Sequence, residues 1–203
     1  MVQGMNVDLQ NFFSQFYDPE KLSDHWHHGP SSVSATEPLR SKLTELAQRH
    51  NIRSMFDAGC CNCAWAQLIT GIEYSGGDIN KALIQQINCQ KPQINVVVHD
   101  ITTDPIPAVD LLFIRDVLIH LSTADKKRVI ANWLSSGVPW LLMTQANEPS
   151  TNDDIEYKEF PWATVNWLLP PWNFPKPIDD IIDIFSSKTM SLWHRNQFAQ
   201  ISL

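Results

Sequence analysis

Apolar positions change period several times along the chain, and the changes predict alternating helices and strands. Over residues 7–17, Leu9, Phe12, Phe13, Phe16 and Tyr17 recur at the spacing of one helix face. A polar stretch over 23–36, containing Gly29-Pro30-Ser31-Ser32, predicts a loop. Leu39, Leu43, Leu46 and Ala47 then stripe a helix over 37–50, with Thr36 placed to cap it and Pro38 in its first turn. Short apolar runs predict strands over 54–57, 73–78, 95–98, 109–114 and 140–144. Helices are predicted between them, over 64–69, 80–87 and 123–134. This order implies an α/β fold, a mostly parallel sheet covered by helices on both faces. Residues 181–185 and 191–201 should close it, the second as an antiparallel edge strand. In such sheets ligands bind where loops leave the carboxyl ends of the strands. Chemistry is therefore expected just after Asp57, Asp78, Asp100, Arg115 and Thr144.

Composition narrows the function classes. The 203 residues suffice for one well-buried domain, and 43% hydrophobic with 18% charged residues reads as globular. We expect an N-terminal helix and lid loop over 1–36 and the main domain over 37–203. A net charge of -7 disfavours a nucleic-acid partner. Apolar runs are far shorter than the ~18 residues of a membrane span, and residues 1–10 lack the marks of a secretion signal, so a cytoplasmic location is expected. Cys60, Cys61 and Cys63 crowd one stretch and Cys89 stands alone, without the two separated ligand pairs of a structural zinc site. Small buried apolar residues are the better reading of them, and no metal is expected. Residues 161–177 hold five prolines and three tryptophans, which rules out a regular helix. An aromatic insertion over about 149–178 is predicted above the strand ends, either as a cover on the core or as a substrate contact.

Three acids mark successive strand ends. The first strand runs into Asp57-Ala58-Gly59-Cys60-Cys61-Asn62-Cys63-Ala64-Trp65, where a glycine lets the backbone turn tightly against a ligand. This loop lacks the spaced glycines of a dinucleotide fingerprint and the Gly-Lys-Ser/Thr of a phosphate loop. Asp78, closing Tyr74-Ser75-Gly76-Gly77-Asp78-Ile79, suits the two hydroxyls of a ribose, because an ionised carboxylate is a paired acceptor. Asp100 ends the third strand, placed to meet an adenine amino group while Ile101 packs on the ring.

This order resembles the class I methyltransferase core. More narrowly, it resembles a group of small bacterial and viral methyltransferases sharing an Asp-Ala-x-Cys-Gly-x-x-x-Trp loop, a Tyr-x-Gly-x-Asp-Ile strand and an Arg-Asp-x-Leu-x-His-Leu element. Here these read Asp57-Ala58-Gly59-Cys60 with Trp65, then Tyr74, Gly76, Asp78 and Ile79, then Arg115-Asp116-Val117-Leu118-Ile119-His120-Leu121. Asn166 and Pro170-Pro171-Trp172-Asn173-Phe174-Pro175 resemble that group's C-terminal loop, and Cys61 stands where the group has glycine. The resemblance implies a Rossmann-like class I methyltransferase fold with a seven-stranded sheet, and S-adenosyl-L-methionine as cofactor. The cofactor residues it implies are Asp57, Gly59, Cys60, Trp65, Asp78, Ile79, Asp100, Ile101 and Arg115. A salt-bridged structural role is the alternative for Arg115.

If a helical turn starts at Asp116, His120 shares its face four residues on. Such a pair suits removal of a hydroxyl proton during methyl transfer, since histidine titrates near working pH. His120 and Asp116 are thus the catalytic candidates, with a structural helix histidine as the bland alternative. In the loop His25-Trp26-His27-His28 through Ser31 and Ser32, a lid, a metal site and a plain solvated loop stay open. His28, Ser31, Asn166 and Trp172 are the substrate-side candidates. The expected function is O-methylation of a small hydroxylated acceptor, preferably a sugar or glycan end, because aromatic faces stack on sugar rings. A methyltransferase for protein or nucleic acid, or a non-catalytic module, remain alternatives.

Overall fold

A computed structural model describes residues 7–17, 29–148, 150–183 and 188–199. Seven strands form one sheet in the order β3-β2-β1-β4-β5-β7-β6. They are β1 (Ser54–Ala58), β2 (Glu73–Asp78), β3 (Val96–Val98), β4 (Leu111–Ile114), β5 (Trp140–Gln145), β6 (Asp179–Asp183) and β7 (Lys188–His194). Pairs among β1 to β5 are parallel, and β7 runs antiparallel to both β5 and β6. Among the described residues the α-helices are α1 (Leu9–Ser14), α2 (Glu37–His50), α3 (Lys81–Gln90) and α4 (Thr123–Ser136).

Alternation along the strands distributes the two main cores. Leu111 and Phe113 of β4 join the Leu39, Leu43, Leu46 and Ala47 stripe of α2. Leu112 and Ile114 join Val129, Ile130 and Trp133 of α4 on the other side. β4 is buried at every position, as a central parallel strand covered on both faces must be. α3 packs Leu83, Ile84 and Ile87 in a smaller cluster with Val96.

Three expectations need correction. The predicted helix over 64–69 is only a 3-10 turn, Ala66–Leu68: it follows left-handed residues at Cys61 and Cys63 and stops before Gly71, leaving too few residues to nucleate an α-helix. Thr36 holds the N-cap position of α2 but does not cap it; its hydroxyl donates to the Ser32 carbonyl at 2.8 Å. The antiparallel strand is not the edge. β7 carries buried Met190, Leu192 and Trp193 and inserts between β5 and β6, while β6, with Asp179 and Asp180, takes the exposed edge that charged residues suit. As expected for the Pro/Trp-rich insertion, no helix or strand separates β5 from β6 among the described residues. Trp167 and Trp172, 0% and 2% exposed, fill that space, and the Trp167 indole donates to the Thr144 carbonyl at 2.9 Å. For these two rings the insertion is a cover on the core.

Candidate active site

An open cleft with a cavity volume of about 190 Å³ lies at the carboxyl ends of β1 to β4. Gly59, Asp78, Ile79, Asp100, Ile101 and Val117 line it, and Leu9 and Phe13 of α1 roof it. The Gln10 amide ties α1 to the cleft wall by donating to the Ile79 carbonyl at 3.1 Å. The crevice opens where the strand order reverses, between β1 and β4.

Asp78 is held from two sides: Oδ2 accepts from Cys61 N–H at 3.2 Å and Oδ1 from Asn80 N–H at 2.9 Å. Burial pushes its carboxyl above the usual range, against those two hydrogen bonds. Each oxygen has a further lone pair for a diol. Asp100 accepts from the Thr102 amide at 2.9 Å and hydroxyl at 2.7 Å. Ile79 and Ile101 supply the apolar walls that a flat base needs. His99 also lines the cleft. Its neighbour shows why β2 carries a glycine: a Cβ on Gly77 would approach the His99 Cβ to 2.7 Å.

The loop after β1 turns at Gly59, with φ of 85°. The amides of Gly59 and Cys60 both donate to the Gly77 carbonyl, at 2.7 and 3.0 Å. A Cβ on Gly59 would lie 2.2 Å from Val117 Cγ2, so the first loop and the fourth-strand rim are in contact across the cleft floor. Gly59→Ala should therefore lose about 1–3 kcal/mol of stability in denaturant unfolding. Val117→Ala in the same chain should restore the steric part and leave the backbone part, which the left-handed φ imposes.

Left-handed residues at Cys61 and Cys63, φ of 52° and 50°, turn the loop back towards the core. Cys60 and Cys63 are 4% and 1% exposed and pack with α3. The Cys60 thiol is pushed up by its hydrogen bond with Cys63 and by burial. Trp65 packs on Phe113, ring centroids 5.9 Å apart. The structure thus sets Cys60 and Trp65 beneath the cleft rather than along it. Asp57 is also interior: the Tyr74 hydroxyl donates to it at 2.8 Å, and burial raises its carboxyl to about 7.

Beyond β4, Arg115 turns inward. Its Nε donates to Asp183 at 2.8 Å and an Nη to the Pro30 carbonyl at 3.1 Å, with the two charged side chains 5% and 3% exposed. Asp116 adopts φ of 56°, its amide donates to the Thr144 hydroxyl at 2.8 Å, and Lys188 pairs with its carboxylate at 2.8 Å. That left-handed residue prevents the expected helical turn; a 3-10 turn, Leu118–His120, follows instead. Asp116 therefore meets Lys188, a residue the sequence reading missed. His120 takes its orientation from elsewhere: its Nδ1 lies 2.7 Å from the Pro161 carbonyl. A carbonyl only accepts, so Nδ1 carries the proton and Nε2 the lone pair. Burial lowers the imidazole's pKa, opposed by the Pro161 hydrogen bond and the Asp116 charge.

The substrate-side candidates scatter. His28 lies outside the described residues. Ser31 is half-buried beside Pro30, the residue Arg115 holds. Asn166 accepts from the Gln145 side chain at 2.9 Å and from Leu168 N–H at 3.1 Å, which fixes the insertion. Trp172 stacks in the core, 4.8 Å from Trp167. Among the described residues, no group of three or more His, Cys, Asp or Glu side chains is placed to hold a metal ion. No described helix is long and apolar enough to cross a membrane.

No family model and no curated protein matches the sequence. Solved structures do match. The PH0226 protein of Pyrococcus horikoshii is 13% identical over 88% of this chain and 99% of its own, with a TM-score of 0.58. Magnesium protoporphyrin IX methyltransferase of Synechocystis, solved with S-adenosylmethionine bound, is 15% identical over 70% of this chain and 78% of its own, TM-score 0.54. CalS10, an amino pentose methyltransferase of Micromonospora echinaspora, is 16% identical over 68% and 63%, TM-score 0.52. At these identities the likeness concerns architecture, and together with the strand order it makes this chain's fold the Rossmann-like class I methyltransferase fold.

Proposed function

We propose that the chain is an S-adenosylmethionine-dependent methyltransferase that methylates a hydroxyl of a small acceptor, with a sugar or glycan end the preferred class. The observation that carries this reading is a cleft lined by Asp78, Ile79, Asp100 and Ile101 whose rim continues, through Val117, to His120, with Nδ1 set against the Pro161 carbonyl. The residues present fit the cofactor. Asp78 would hold the ribose hydroxyls, Asp100 the adenine amino group, and Ile79 and Ile101 the faces of the ring. Gly59 would let the loop backbone approach the methionine portion, where any Cβ would strike Val117. When bound, the cofactor supplies an activated methyl group on a positively charged sulfur. His120 would take the acceptor's proton at Nε2, with Pro161 holding the ring. A net charge of -7 supports a small acceptor over nucleic acid. The sugar preference draws support from the fold's occurrence in an amino pentose methyltransferase.

Calorimetry with S-adenosylmethionine and with its demethylated product, S-adenosylhomocysteine, tests the reading. Binding of both is expected, and binding of neither overturns it. Asp78→Asn replaces a charged acceptor by a neutral one, worth about 1.5–3 kcal/mol per hydrogen bond. It should weaken product binding about 10- to 100-fold.

A further inference from the structure

Three tryptophans lie in the insertion, and only one is exposed: Trp162, at 61%, against 0% for Trp167 and 2% for Trp172. Phe160, two residues earlier, is 51% exposed. Two large rings this open within three residues form an exposed apolar patch, and such patches mark binding sites. Their position is specific. The Phe160 ring stands 4.6 Å from the His120 ring and 5.2 Å from Phe16, and Phe13, 6.3 Å away, lines the cofactor cleft. Phe160 thus sits between the base and the roof of the cleft, where an acceptor must lie to reach both. The backbone on either side is pinned: the Pro161 carbonyl accepts from His120, and Ala163 N–H donates to the Ile119 carbonyl at 2.9 Å. Trp162 is therefore held between two anchors with its side chain in water.

We propose that Phe160 and Trp162 form the acceptor's seat, and that the acceptor is a hydroxyl-bearing ring with a flat apolar face. The proposal rests on the methyltransferase reading and deepens it. Aromatic side chains pack well on flat apolar faces, and an acyclic polyol offers none. The sequence pointed to Trp172 for this contact; its burial passes the role to Trp162.

Ligand-observed saturation-transfer NMR tests the seat, with S-adenosylhomocysteine saturating the cleft. The probes are phenol, methyl β-D-glucopyranoside and, as the acyclic control, glycerol. At least one ring probe should receive saturation and glycerol should not; the signal should fall at least threefold in both Trp162→Ala and Phe160→Ala. Phe160→Ala also loosens the packing on α1, so the exposed Trp162→Ala is the decisive variant. Response to phenol alone assigns an aromatic alcohol, and response to the glucoside a sugar ring; either upholds the proposal. Equal response to glycerol, no response to either ring, or signals unchanged by Trp162→Ala overturns it. Calorimetric binding of S-adenosylhomocysteine in the same samples separates this from failure of the underlying reading, which its absence alone would bring down.

Discussion

Alanine in place of His120 is expected to slow methyl transfer about 10²–10⁴-fold, the usual worth of a positioned general base. Affinity for S-adenosylhomocysteine should stay within a few-fold of the parent, since His120 is not among the residues lining the cleft proposed for the cofactor. Asparagine is the sharper substitution. Its side-chain amide can donate to the Pro161 carbonyl as Nδ1 does, yet it has no titrating lone pair to replace Nε2. The insertion should then keep its place while the rate falls as in the alanine variant. The pH profile gives a second readout. A base works only when unprotonated, so activity is lost as pH falls through its pKa. Burial lowers that pKa below the ordinary value of about 6.5, so the acid limb of kcat/KM should have its midpoint below that value. The limb should vanish from the residual activity of His120→Asn. A limb that persists unchanged in that variant assigns the base to another group.

What could be read in advance follows from how local each determinant is. Asp78 and Asp100 were legible because hydrophobic periodicity places strand ends, and strand ends place the acids. The α2 stripe was legible for the same reason. The burial of Cys60 and Trp65 was not legible because φ of 52° at Cys61 and 50° at Cys63 redirect the chain, and cysteine advertises no left-handed conformation as glycine would. The resembling group's glycine at the Cys61 position was the available hint. The partners of the two catalytic candidates were beyond reach: His120 is oriented by a carbonyl 41 residues away, and Asp116 is held by a lysine 72 residues on. Composition marked the insertion as aromatic, but neighbouring tryptophans of equal hydrophobicity differ between 0% and 61% exposure according to which way an irregular backbone turns.

The other large effect concerns Arg115, which the sequence left between a cofactor contact and a structural ion pair. Arg115→Met should cost about 3–5 kcal/mol of unfolding free energy, because it strips the guanidinium from a carboxylate only 3% exposed. It also removes the donor to the Pro30 carbonyl, which ties the loop around Ser31 to the sheet. Asp183→Leu alone should cost a similar amount by leaving the guanidinium buried without that carboxylate. Combined, the two changes remove both charges at once, and a well-packed apolar pair often matches a buried ion pair in stability. The double variant should therefore be more stable than either single one, giving a double-mutant coupling well beyond the about 0.5 kcal/mol scatter of independent sites. A cofactor contact would produce the opposite pattern: little change in unfolding free energy, a large loss of S-adenosylhomocysteine affinity, and no recovery from Asp183→Leu. Since the Arg115–Asp183 pair joins the end of β4 to the end of β6, the expected coupling would make it the clamp that fixes the rim on which Asp116 and His120 stand.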